Sequence, residues 1–275
     1  MRICFVGGGN MATALIGGML AKGFTPGDIA VVEPRAEGRD RLAADFAVRT
    51  HAALDAAALA CDVLVLAVKP QQMRAALAPA RGRLVDQVVV SIAAGLRLAD
   101  IGRWLDGHPR LVRCMPNTPA LIGAGTTGLF AAPAVSAEAR AGVERILAAV
   151  GSTVWIDDEA RMDAVTAISG SGPAYVFHFI EALEAAGAQL GFDADTAHAL
   201  AVGTVLGAAQ LAAQSHDTPA TLRERVTSKG GTTAAALASL AADDFVAIVG
   251  RAVAAAEQRG KALGDALGAD EGEKI

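Results

Sequence analysis

Over the first 160 residues, short apolar runs alternate with segments of helical spacing. RICFVG (2–7), IAVVE (29–33), DVLVLAV (62–68) and VVVSI (88–92) are near-continuous apolar runs, rich in β-branched residues. Such runs predict parallel strands covered on both faces. MATALIGGMLAKG (11–23), RDRLAADF (39–46), QQMRAALAPA (71–80) and LADIGRWL (98–105) read as the helices between them. Further strands are predicted at 111–116, 126–131 and 153–157. A helix over 136–151 is opened by Ser136 and Glu138 and closed by Gly151. The rhythm is that of an α/β, Rossmann-type doubly wound sheet.

Beyond about residue 160 the strand pattern ends. Residues 173–191, 193–215, 218–226, 233–242 and 243–267 read as helices, punctuated by the turns SGSGP, GFDAD, SHDTP and TSKGG. Two domains are expected: a dinucleotide-binding domain over 1–160 and an all-α domain over 161–275, with a polar, frayed tail GADEGEKI. The helices from 161 to 265 are apolar on most faces, more than a small domain can bury alone, which predicts a homodimer formed through them.

Composition narrows the partners. The chain is 53% hydrophobic but only 4% aromatic, which suits closely packed small-residue helices, and its net charge of −5 argues against nucleic acid. Cys4, Cys61 and Cys114 lie in no CxxC spacing, as buried thiols in a reducing compartment would. The five histidines have no ligand spacing, so no metal site is expected. The run MRICFVGGG is too short for a signal peptide. The stretch ALAVGTVLGAAQLAA (199–213) is shorter than a membrane span and contains Gln210. A cytoplasmic protein without membrane association is the expectation.

The first chemistry lies at the first β-to-α turn, FVGGGNMATAL. Gly7 suits a tight turn, Gly9 lets backbone approach a pyrophosphate, and Ala12 keeps helix and strand close. Gly8, Asn10 and Met11 complete the loop, whose helix N-terminus presents N–H donors. Glu33 ends the second strand, where an acid takes the ribose hydroxyls of NAD. Arg35, two residues on, offers a guanidinium for the 2′-phosphate of NADP. The two signals conflict, and Arg35, Arg39 and Arg41 equally suit a solvated helix face. Ala67-Val68-Lys69-Pro70 and Ala93-Ala94-Gly95 follow later strands, at the ends where open sheets bind ligands, and their small residues suit a nicotinamide ribose. Lys69 fits simple exposure as well. Asn117 fits either cofactor orientation or turn formation.

The second feature is VTSKGGTTAAAL (226–237). Read by itself it is a Gly-rich turn with a threonine N-cap. However, GGGNMA, AVKP, SIAAG, RCMPNTPALIGAGTT, DAVTAISGSGPAY and VTSKGGTTAAAL together resemble the pyrroline-5-carboxylate reductase family, in its order, from residue 2 to about 265. SGSGPAY and SKGGTT are the most specific stretches. The resemblance implies NAD(P)H-dependent reduction of 1-pyrroline-5-carboxylate to L-proline, by a Rossmann domain and a helical domain that interlocks with a partner's. It also implies NADP(H) in preference to NAD(H) and a homodimer, with further assembly into a decamer. Ser228, Gly230, Gly231, Thr232 and Thr233 map onto the substrate loop, with Thr233 on the threonine that hydrogen-bonds the imine nitrogen. Ser171 and Pro173 map onto the start of the long interdomain helix and are given a mainly structural role. Two departures concern the adenosine end: Glu33 stands where members often carry Ser, Thr or Asn, and the loop HAALD (51–55) lacks their asparagine.

Two rival readings remain. A β-hydroxyacid dehydrogenase would need a catalytic lysine on the first long helix of the second domain, and residues 173–198 contain none. A non-catalytic NAD(P) sensor would have no use for an anion-binding loop at 228–233.

Overall fold

Every residue of the four strands with apolar cores is buried in the computed structural model, which describes residues 1–269. These strands are β1 (Ile3–Val6), β2 (Ile29–Val32), β4 (Val63–Leu66) and β5 (Val88–Ser91). With β3 (Arg49–His51), β6 (Leu111–Met115), β7 (Gly125–Ala131) and β8 (Gly151–Trp155), they form one eight-stranded sheet of order β3-β2-β1-β4-β5-β6-β7-β8. The first six strands are parallel in the doubly wound order, while β7 runs antiparallel to β6 and β8 runs parallel to β7.

Period-two alternation divides the strands between two cores. Ile3, Phe5, Val31, Val65 and Val90 face α1 (Asn10–Ala21) and α5 (Ala137–Leu147). Cys4, Val6, Val32, Leu64 and Val89 face α3 (Met73–Leu77) and α4 (Leu98–Trp104). The helix α2 (Ala36–Phe46) adds Leu42 to the first core. All three cysteines are buried. Desolvation raises their thiol pKa values, Cys4 to about 12 and Cys61 to about 11.

Three features differ from the sequence expectation. The edge strand β3 was not anticipated, because Arg49, Thr50 and His51 carry no apolar signal. The segment after β8, to which the sequence pattern assigns no element, is helical: α6 (Met162–Val165) continues into a π-helical turn over Thr166–Gly170. Its anchor is the buried guanidinium of Arg113, 2.8 Å from Asp163 and 3.5 Å from Glu159. Third, the chain divides into two compact units at points other than residue 160. One is Met1–Ser171 with the chain from Ala256 onward, and the other is Gly172–Ala255.

The second unit is helical throughout: α7 (Gly172–Gln189), α8 (Ala194–Gln214), α9 (Pro219–Arg225), α10 (Thr232–Ala242) and the first half of α11 (Phe245–Gly268). Asp193 caps α8 and Thr218 caps α9 by accepting from backbone N–H groups. Val176, Phe177, Phe179, Leu206, Leu211 and Val246 are exposed in the single chain. By length and composition α8 could cross a membrane. The polar tail expected from the sequence lies, from residue 270, outside the described residues.

Candidate functional site: two glycine loops at uncapped helix N-termini

In the first unit, β1 runs into the loop Gly7-Gly8-Gly9 and then α1. Gly7 has φ +103°, and its N–H donates to the Val32 carbonyl at 2.9 Å. A methyl there would lie 2.9 Å from the Ala67 carbonyl oxygen and from Val68 Cγ1. Only glycine therefore lets the β4 loop, Ala67 to Pro70, close against the β1 loop. Gly8 is held from the other side, because its methyl would meet Leu42 of α2 at 2.5 Å. Around the Cβ direction of Gly9 there is nothing within 4 Å. Gly9 is the N-cap of α1, with no side-chain cap and no acid in the first turn, so the N–H groups of Asn10, Met11 and Ala12 keep a free N-terminus. A cradle with these properties fits a dinucleotide pyrophosphate. Thr13 Oγ1 in the same turn and His51 Nε2 at the end of β3 are buried without a hydrogen-bond partner among the described residues.

At the end of β2, Glu33 is 6% exposed. Its Oε1 accepts from Arg35 Nε at 3.0 Å and from the Arg35 backbone N–H at 3.2 Å. Burial by itself would raise its pKa; the Arg35 hydrogen bonds and charge, with the Gly8 N–H, outweigh this and lower it. Arg39 Nη1 donates to the carbonyls of Glu33 and Pro34 at 2.9 and 2.7 Å, so it is a backbone clamp rather than a solvated residue. Gly38 belongs to the same cluster, since a methyl there would lie 2.7 Å from Glu33 Cγ. Lys69 is exposed beside Pro70, which opens a short 3-10 turn.

The loop after β5 is pinned by Ala93 and Leu96 in the core, leaving Ala94 exposed and Gly95 covered. Asn117 spends both ends of its amide inside the protein: Nδ2 donates to the Ser169 carbonyl at 3.1 Å, and Oδ1 accepts from the Thr126 N–H at 2.8 Å. Its visible task is to tie the β6–β7 connection to the π turn.

In the second unit the SKGGTT stretch forms the turn into α10. Gly231 N–H donates to the Ser228 carbonyl at 3.0 Å, and Gly230 is left-handed at φ +73°. A side chain on Gly231 would overlap the Ser228 hydroxyl. The N-cap is Gly231, and no side chain caps α10. Neither threonine is the cap that the sequence alone suggested. Thr232 and Thr233 open the helix beside unclaimed N–H donors, with Thr233 half-buried. An uncapped helix start with a Gly-Gly turn and adjacent hydroxyls suits a carboxylate.

A separate concavity lies elsewhere in the first unit. It sits at the amino ends of the strands and is lined by Arg2, Asp62, Asp86, Arg110, Glu138 and Arg145, three bases and three acids.

The doubly wound sheet and its glycine loop define an oxidoreductase of the nicotinamide dinucleotide class. A family model described as "NADP oxidoreductase coenzyme F420-dependent" matches residues 2–95, and one described as "Pyrroline-5-carboxylate reductase dimerisation" matches residues 159–263. The pyrroline-5-carboxylate reductase of Pseudomonas aeruginosa is 49% identical over 271 residues, covering 97% of this chain and 98% of that protein. That of Pasteurella multocida is 43% identical, covering 95% and 97%. Among solved structures, the reductase of Coxiella burnetii aligns with a TM-score of 0.90 at 38% identity, covering 95% and 98%. The Plasmodium falciparum enzyme with NADP bound aligns with a TM-score of 0.84 at 30% identity, covering 96% and 98%. The chain belongs to the pyrroline-5-carboxylate reductase family, and it is an enzyme acting on a C=N bond.

Proposed function

We propose that this protein reduces 1-pyrroline-5-carboxylate to L-proline at the loop Ser228–Thr233, using NADPH in preference to NADH. The observation that carries the site is the uncapped start of α10 behind Gly230 and Gly231, in a chain that also holds the dinucleotide cradle at Gly7–Ala12. The N–H groups of the first turn of α10 receive the substrate carboxylate, and the two glycines keep side chains out of its way. The Thr233 hydroxyl donates to the lone pair that develops on nitrogen as the C=N bond is reduced. Ala67–Pro70 and Ala93–Gly95 position the ring end of the cofactor, and Glu33 and Arg35 stand at its adenosine end. When bound, the reduced nicotinamide supplies the hydride. A protonated imine is already electrophilic, so the protein's work is to align two ligands, and no acid–base pair is needed.

Arg35 and Arg39 support the NADPH preference: Arg35 half-neutralises the Glu33 carboxylate, and Arg39 adds a second positive charge nearby. The exposed apolar faces of α7, α8 and α11 support a homodimer through the second unit, a setting in which α8 is an interface helix rather than a membrane span. Further assembly to a decamer and a cytoplasmic location complete the reading. The test is NADPH oxidation with and without the cyclic imine, followed by product analysis. L-Proline formed in step with oxidation supports the proposal, and cofactor binding with no turnover overturns it.

A further inference from the structure

The C-terminal half of α11 carries glycines at four-residue spacing, Gly260, Gly264 and Gly268, on one face of the helix. Within the first unit this face lies on Asp163, on Gly95 and on Asp100 respectively. The three contacts are unequal. At Gly260 a methyl would find Asp163 Cβ at 3.7 Å, an ordinary van der Waals distance. At Gly264, which is buried, it would lie 2.7 Å from the Gly95 carbonyl oxygen. Gly95 is itself left-handed at φ +81°, and its own Cβ direction points at Gly264 N (3.6 Å) and Leu267 Cδ1 (3.7 Å). Two backbones thus meet with a side chain on neither. Arg97 Nη2 to Asp265 Oδ1 (2.6 Å) and Arg103 Nη2 to the Gly268 carbonyl (2.7 Å) fasten the helix just C-terminal to that contact.

The covered segment is the loop after β5. Ala93 and Leu96 anchor it from beneath and α11 closes it at Gly95, so only Ala94 faces solvent. We infer that the Gly264–Gly95 contact is a positioning device for the cofactor: the end of α11 sets the height of the Ala93–Gly95 loop, and with it the seat of the nicotinamide ribose. This rests on the reading that the loop holds that end of the cofactor. Gly264 touches no reacting atom and acts through Gly95. Displacement of a reacting group by about 1 Å can cost on the order of a hundredfold in rate, so a small lift of the loop is enough to be measured.

Four variants test the inference, each read by Kd for NADPH, KM for the imine, kcat and melting temperature. Gly264→Ala should push the Gly95 carbonyl away, raising Kd for NADPH about tenfold and lowering kcat, with the imine KM unchanged. Gly260→Ala has room for its methyl and should match the parent in all kinetic terms. Leu267→Ala loosens the seat without adding bulk, should raise Kd for NADPH as well, and decides the matter if Gly264→Ala does not fold. Ala94→Glu tests the loop itself and should weaken NADPH strongly. If Gly264→Ala and Leu267→Ala lower only the melting temperature while Ala94→Glu weakens NADPH, the positioning role is wrong and the loop assignment stands. If Ala94→Glu also leaves NADPH binding intact, the loop assignment falls, and the inference with it.

Discussion

Arg35 Nε lies 3.0 Å from Glu33 Oε1, so the acid that ends β2 is occupied by its own neighbour two residues on. A free carboxylate at this point would favour ribose hydroxyls and repel a 2′-phosphate. With Arg35 on one oxygen and the Gly8 N–H facing the carboxylate, that repulsion is reduced, and the exposed guanidinium keeps donors for a phosphate. Arg35→Ala is expected to raise KM for NADPH by about two- to fivefold, the scale of an exposed charge pair, and to leave KM for NADH nearly unchanged. Steady-state kinetics with both cofactors decide it; equal effects would make Arg35 an ordinary surface residue.

Glu33 also makes a prediction about acid stability. Its pKa is lowered in the folded protein from the usual 4.5, so folding favours the carboxylate. The stabilisation is present above the unfolded-state value and is lost as pH falls through the folded-state value. The stability difference between the parent and Glu33→Gln should therefore stay constant from about pH 8 to about pH 5 and shrink below that, in urea titrations at several pH values. A difference that grows on acidification would contradict the pairing.

Arg113 is 3% exposed, and its guanidinium is shared between Asp163 and Glu159. Arg113→Met would leave Asp163 buried without its partner, at an expected cost of about 3–5 kcal/mol. Replacing Arg113 and Asp163 together by apolar residues should cost much less. Denaturant unfolding of the two variants measures the difference, and equal losses would mean that the ion pair is not the anchor of the α6 segment.

Legibility in the sequence followed burial. The strands β1, β2, β4 and β5 could be read because both of their faces are covered, which forces continuous apolar runs. The strand β3 could not, because an edge strand of Arg, Thr and His looks like loop. The glycine loops were legible as motifs, since a missing side chain is recorded in the chain itself. Their partners were not: that Glu33 meets Arg35, that Arg39 clamps two carbonyls, and that Asn117 spends its amide on Ser169 and Thr126 are facts of packing. The Gly260-Gly264-Gly268 spacing is plain in the sequence, yet only the fold shows that Gly260 has room for a methyl while Gly264 meets the Gly95 backbone and Gly268 the Asp100 carboxylate.

Phe177, Phe179, Leu206 and Val246 are exposed in the single chain, a load of apolar surface that monomers seldom leave uncovered. Light scattering should find the active protein as a dimer or a multiple of one. Phe179→Asp should dissociate it and lower activity in parallel. A stable, fully active monomer would contradict assembly through these helices.

The most direct test of the account is the kinetics of Thr233→Ala. In the proposed site the uncapped N-terminus of α10 holds the carboxylate with or without this hydroxyl, whereas the bond to nitrogen matters as charge leaves it during reduction. Loss of a hydrogen bond to a charged group, about 1.5–3 kcal/mol, should lower kcat/KM by roughly 10- to 150-fold, mostly in kcat. Thr233→Ser should retain most activity, and the affinity for NADPH should be unaffected in both. If Thr233→Ala instead keeps normal turnover per folded molecule and loses only melting temperature, the SKGGTT loop is a turn and the proposed site is wrong.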